Sequence, residues 1–208
     1  MACQLLHDSQ VVLEARDMAT PPLDTLRELM RHMEWADASV WRAVLAHPPA
    51  LQDERLRTLL LHLHGVQRVF LAMWTGKPLE SVMSNPAPVD LLAEEPAVRA
   101  YYQELHPTVA AFDDATLERP IVTPGLKRYE EQMNRRFDAP TLAETVLQVA
   151  SHSTYHRGQV NARLRELGGE PPLVDYIAWI WFGRPAADWT ATVSPSGQVE
   201  NAETAPAS

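Results

Sequence analysis

The segment HSTYHRGQV, residues 152–160, sets His152 and His156 one helical turn apart. Two imidazoles at i and i+4 of a helix share a face. Their neutral ring nitrogens suit Zn, Ni, Fe or Cu. A pair holds an ion from one side only, and a stable site takes a third ligand from another element. The competing reading is two buried histidines that simply hydrogen-bond. The element carrying them starts clearly: Thr141 and Glu144 form a T-x-x-E capping box after Pro140. It runs to about Leu167, where Gly168-Gly169 and Pro171-Pro172 end it. Val149, His152, His156, Val160, Leu164 and Leu167 follow one another by three or four residues. Both histidines are therefore expected to point inward with the core residues.

A third ligand is available in LLLHLHGVQRVF, which offers His62 and His64. They stand about 200° apart on a helix and face different ways. His62 borders an apolar stripe, with Leu59 before it and Val66 after it. His64 is flanked by Leu60, Gln67 and Arg68. Periodicity selects His62 as the inward candidate and leaves His64 at the surface or rim. The remaining histidines are read as structural or exposed: His7 in a weakly patterned stretch, His47 and His106 each before a proline, and His32 off its helix's stripe.

The elements that must position these residues are helical. Leu26, Leu29, Met30, Met33, Val40 and Val44 predict a helix over about 23–46, stopped by Pro48-Pro49. Leu56, Leu59, Leu63, Val66, Phe70 and Met73 predict a second over about 53–75, ended by Gly76. After the Pro- and Ser-rich SVMSNPAPVD comes a third, over about 90–115, with Val98, Tyr101, Tyr102, Leu105, Val109 and Phe112. Pro107 predicts a kink or break near His106. The stretch ERPIVTPGLKRYEEQMNRRFDAP has room for a short hairpin, and DYIAWIWFG for a short helix that packs its tryptophans. Four long amphipathic helices with few strands predict an all-α fold, a helix bundle. Residues 1–20 read as a weakly structured extension, 21–183 as the domain and 184–208 as a disordered tail rich in Ala, Ser, Thr and Pro. Met18 is an alternative start.

Charge and composition narrow the function classes. A net charge of −9 argues against a nucleic-acid backbone as partner. Lys127-Arg128 and Arg135-Arg136 are interrupted by Glu130 and Glu131 and read as a solvated loop. No apolar run reaches the roughly 18 residues of a membrane span, and the start lacks the pattern of a signal peptide. One cysteine, Cys3, permits no internal disulfide, which fits a cytoplasmic setting.

Taken together, His62 in LHLHGVQRVFLAMWTG, the HSTYHRGQ element and LRELGGEPP at 164–172 resemble the DinB/YfiT-like family of bacterial four-helix-bundle metalloproteins. The resemblance covers about residues 23–180. RHMEWADASVW resembles the family's Trp-Ala-Asn element, with Asp37 at the usual Asn position. A buried carboxylate there needs a partner, either Arg157 or a ligand histidine. The resemblance implies a site in which His62, His152 and His156 hold a divalent metal ion, Zn or Ni first and Fe or Mn next. An open position is left for a small-molecule substrate or thiol. Arg157 would tie its helix to a neighbour, Gly158 would allow close helix approach, and Gln159 would orient backbone or substrate.

By the same resemblance the chain is a metal-dependent hydrolase or a low-molecular-weight-thiol S-transferase. The alternatives are a non-catalytic metal-binding stress protein, or a helical interaction domain with core histidines. No H-E-x-x-H glutamate accompanies the pair, so a metalloprotease mechanism does not transfer. The generous tryptophan content, with DYIAWIWFG as a covering segment, suggests a homodimer.

Overall fold

A computed structural model describes residues 20–82 and 90–189 of the chain. Four long helices carry the architecture: α1 (Leu23–Leu45), α3 (Glu54–Thr75), α4 (Leu91–Ala110) and α7 (Leu142–Glu166). Short helices link and follow them: α2 (Pro48–Leu51), α5 (Asp114–Leu117), α6 (Leu126–Met133) and α8 (Tyr176–Trp181). The described residues are helix and connection throughout. Their β-type pairing is an isolated antiparallel bridge between Pro120 and Thr141.

The helices begin where side chains satisfy their free N–H groups. Asp53 accepts from the Leu56 amide at 2.7 Å and Asp90 from the Leu92 amide at 3.0 Å. The Thr141–Glu144 capping box forms in both directions. α7 packs along α3 and α1, while α4 lies against α1 and α3. One core runs between them, built from Leu26, Met30 and Trp41 of α1, Leu56, Leu60 and Leu71 of α3, Val98 and Tyr102 of α4, and Val146, Val160 and Leu164 of α7.

Four expectations about the elements and their ends need correction. Of the kink or break expected at Pro107, the break does not occur: α4 continues through Pro96 and Pro107 to Ala110. Each proline costs one backbone hydrogen bond. The buried face of Val98, Tyr101, Tyr102, Leu105 and Val109 outweighs that loss on both sides of Pro107. The third helix also stops short of 115, and α5 is a separate turn capped by Asp113. The stretch after it contains α6 in place of a hairpin, and its bridge partner is Thr141 at the start of α7.

The fourth correction concerns the tail. Residues 184–189 lie on the helices: Arg184 pairs with Glu28, Arg42 with Asp188, and the Trp189 indole donates to Glu34 at 3.1 Å. The rest of the expected tail, the extension at 1–19 with its alternative start, and most of SVMSNPAPVD fall outside the described residues. No helix among the described residues is long and apolar enough to cross a membrane.

Two glycines on and after α7 differ in what surrounds them. A Cβ on Gly169 would fall 2.5 Å from Leu164 Cδ1, 2.9 Å from its Cγ and 3.2 Å from His47 Cδ2. Leu164 is fully buried and His47 is held by its bond to the Leu167 carbonyl, so neither yields freely. A Cβ on Gly158 would meet nothing within 4 Å, so close helix approach is not what that glycine serves. Gly169→Ala is expected to destabilise the protein by about 1–3 kcal/mol through overpacking. Gly158→Ala is expected to leave stability unchanged or raise it by up to about 1 kcal/mol, because a helix-interior glycine is replaced. Chemical denaturation of the two variants beside the parent decides; equal losses would contradict this account.

Candidate metal centre

α3 decides which histidine faces where. Its buried positions are Leu56, Leu60, Leu63, His64, Gln67, Leu71, Ala72 and Trp74. The helix is rotated from the phase that its leucines and valines suggested, and two polar residues sit in the middle of its core face. His64 is therefore the buried one, 2 % exposed, and His62 lies on the exposed side toward α7. This reverses the expected assignment of inward and rim positions. The cause is a polar partnership that hydrophobic periodicity cannot register. His64 Nε2 accepts from the Trp41 indole at 2.8 Å, and its Nδ1–H donates to Gln67 Oε1 at 2.8 Å. Burial pushes the His64 pKa down and favours the neutral ring that this pattern uses.

Gln67 passes the chain of bonds onward. Its Nε2 donates to Asp37 Oδ2 at 2.9 Å and to Ser153 Oγ at 3.0 Å. Asp37 also accepts from Arg157 Nη1 at 2.7 Å and from the Tyr102 hydroxyl. Arg157 and Asp37 are each 2 % exposed. Burial alone would raise the Asp37 pKa, but the adjoining guanidinium and the hydrogen-bond donors keep it below the ordinary carboxylate value. The carboxylate on α1 thus bonds to α3, α4 and α7 together. Its partner is Arg157, and no bond joins it to His62, His152 or His156.

Arg157 and Ser153 inside the core set the rotation of α7. From Val149 onward its buried positions are Val149, Ser153, Arg157, Val160 and Leu164, while His152 and His156 are only half-buried. The expectation that both histidines point into the core is corrected: they occupy the rim, one position round from the arginine, on the side of α3. His62 meets them there. The ring centroids are 5.2 Å apart for His62–His152, 4.5 Å for His62–His156 and 4.2 Å for His152–His156. One nitrogen from each ring lies within 4.8 Å of the other two.

The donor set fits a divalent ion. Nitrogens at tetrahedral zinc, with bonds near 2.0–2.1 Å, stand about 3.4 Å apart, a spacing that small side-chain rotations would reach. Partial burial and the neighbouring His156 keep His62 below the ordinary imidazole value. Burial, with His156 and His62 adding to it, brings His152 down to about 4. Both rings are neutral at pH 7, the form that ligates. The His152 Nδ1 atom is buried without a hydrogen-bond partner. His156 Nδ1–H donates to Gln159 Oε1 at 2.7 Å, which leaves Nε2 with its lone pair. Gln159 therefore acts on His156 itself. Below the site, Arg163 grips Asp53 with two bonds of 3.1 and 2.6 Å and ties the start of α3 to the end of α7.

The other described histidines are structural. His32 Nε2–H donates to the Val174 carbonyl at 3.0 Å, His47 to Leu167 at 2.9 Å and His106 to Glu34 at 2.6 Å. His7 lies outside the described residues. Sequence reasoning missed the supporting set of His64, Gln67, Tyr102 and Ser153. One signal was present: His64 and Gln67 are spaced i, i+3, in phase with Leu60 and Leu71.

Asp37→Ala would leave the Arg157 charge buried and unpaired. The expected loss is about 3–5 kcal/mol in urea denaturation, whereas replacing both partners at once by Asp37→Leu with Arg157→Met should recover much of it. A single variant as stable as the parent would show that the pair does not hold the helices together.

A model of the DinB family matches residues 18–186, a span that contains α1 through α8 and every residue of the histidine cluster and its buried support. No curated protein and no solved structure matches the chain. The match covers well over half of the sequence and agrees with the all-helical fold: the chain belongs to the DinB family.

Proposed function

We propose that the four long helices form a four-helix bundle of the DinB/YfiT-like type whose function is to hold a divalent metal ion on His62, His152 and His156. The observation that carries this reading is the convergence of three nitrogens from two helices, all within 4.8 Å of one another. Three imidazoles without a carboxylate favour Zn or Ni, with Fe or Mn next. When bound, such an ion supplies Lewis acidity toward water, a carbonyl or a thiol. The chain's own residues prepare the site. Gln159 holds the His156 tautomer, the Asp37–Arg157 pair fixes the face that α7 turns to α3, and the exposure of His62 leaves the cluster open to solvent. That openness supports an enzyme reading, a metal-dependent hydrolase or a low-molecular-weight-thiol S-transferase, over a closed structural site. Closed structural sites fill all four positions with protein ligands, and this cluster supplies three.

Protein purified without a histidine tag or chelator is expected to carry about one equivalent of metal by elemental mass spectrometry. The His62→Ala/His152→Ala/His156→Ala variant should carry none, at unchanged helical content. Metal-free wild type that stays metal-free after reconstitution would overturn the metal reading and the enzyme reading with it.

We further propose a homodimer in which α8 contributes contact surface. Trp179 is buried against Trp35 and Ala36, while Ile177, Trp181 and Phe182 of the same segment are 49 %, 73 % and 60 % exposed. Adjacent exposed apolar side chains of this size mark an association surface. Sedimentation at increasing concentration should show a dimer that Trp181→Ser weakens; a monomer throughout would dismiss it.

A further inference from the structure

Gly158 is left without a role by the metal site. It sits in the middle of a 25-residue helix, where glycine is unfavourable, and nothing packs against it. It does line a cavity of about 690 Å³ between α1, α7 and residues 171–176, a volume within the range of small-molecule sites. The cavity lies on the face of α7 that carries Ser151, Thr154, Gly158, Asn161 and Arg165. That face is about 200° round the helix from His156, so the cavity is separate from the histidine cluster.

We propose that this cavity binds a small amphipathic organic anion that carries a hydrogen-bond donor. Its apolar walls come from Leu29 and Met33 of α1, Leu147 of α7 and Val174 opposite. Three polar groups on its lining have unused capacity. Asn161 Oδ1 is buried without a partner, an acceptor that calls for an N–H or O–H. Arg165 enters no ion pair among the described residues, and a guanidinium fork suits a carboxylate or a similar anion. Asp175, on the 171–176 wall, gives the donor group a second acceptor. Arg157 reaches the same cavity but is already engaged by Asp37 and by Thr154 at 3.1 Å. Gly158 keeps this space clear, and any larger side chain there would project into it.

The test uses the full-length protein and the dye 8-anilinonaphthalene-1-sulfonate, which combines an apolar body, an N–H donor and an anionic group. Fluorescence titration should show saturable binding of one dye per chain to the native protein. Gly158→Leu and Arg165→Glu should each weaken it about tenfold or more, with unchanged circular dichroism. Asn161→Leu serves as the second variant if Gly158→Leu does not fold. His62→Ala should leave dye affinity unchanged, which separates this site from the metal reading. Absence of saturable binding would overturn the proposal. So would binding that survives both Gly158→Leu and Arg165→Glu, or that is lost in Trp181→Ser, since the dye would then sit on α8.

Discussion

The carboxylate of Asp37 is the point on which the structure turns. It stands on α1 and accepts from Arg157 of α7, Gln67 of α3 and Tyr102 of α4. An ionised group in a core is tolerated only where charge and hydrogen bonds answer it together, and here the answer comes from each of the other three long helices. The constraint is geometric as much as energetic. Leucine side chains accept many neighbours at nearly equal cost, but a guanidinium that must reach one carboxylate fixes the rotation of its helix. With Arg157 and Ser153 turned inward, His152 and His156 are carried to the rim beside α3.

The same network sets α3. His64 and Gln67 occupy its core face because they complete a line from the Trp41 indole to Asp37. His62, two residues before His64, is then directed away from the core and toward α7, where the other two imidazoles wait. A buried polar line and an open histidine cluster are two faces of one arrangement. Moving either helix by one position would break the line and disperse the cluster.

The rim position bears on the chemistry. Neutral rings on His62 and His152, a His156 Nδ1 bonded to Gln159 and an orphaned nitrogen on His152 prepare the proposed ligands. Exposure leaves the cluster accessible to a partner molecule. On the far side of α7, the cavity beside Gly158 is shaped by the same rotation, since Arg157 forms part of its lining. One helix therefore presents histidines to one side and a polar cavity wall to the other, with its arginine between them.

Much of this was legible in the residues alone. The helical periods, the Thr141–Glu144 box and the glycine and proline stops located the four long helices, because those signals are local and act within a turn or two. The HSTYHRGQ spacing and His62 named the cluster that the fold assembles. What the sequence could not reveal was rotation about each helix axis. Apolar periodicity assumes that polar residues face water, so it put His64 outside and His152 and His156 in the core, and it had no means of expecting Gln67 or Ser153 inside. A break at Pro107 was open for a related reason: the loss of one backbone bond is visible locally, while the burial of Val98, Tyr102, Leu105 and Val109 that offsets it is not. Which polar side chains find partners in the interior is settled between helices distant in the chain, and only tertiary packing brings Asp37 and Arg157, 120 residues apart, to within 2.7 Å.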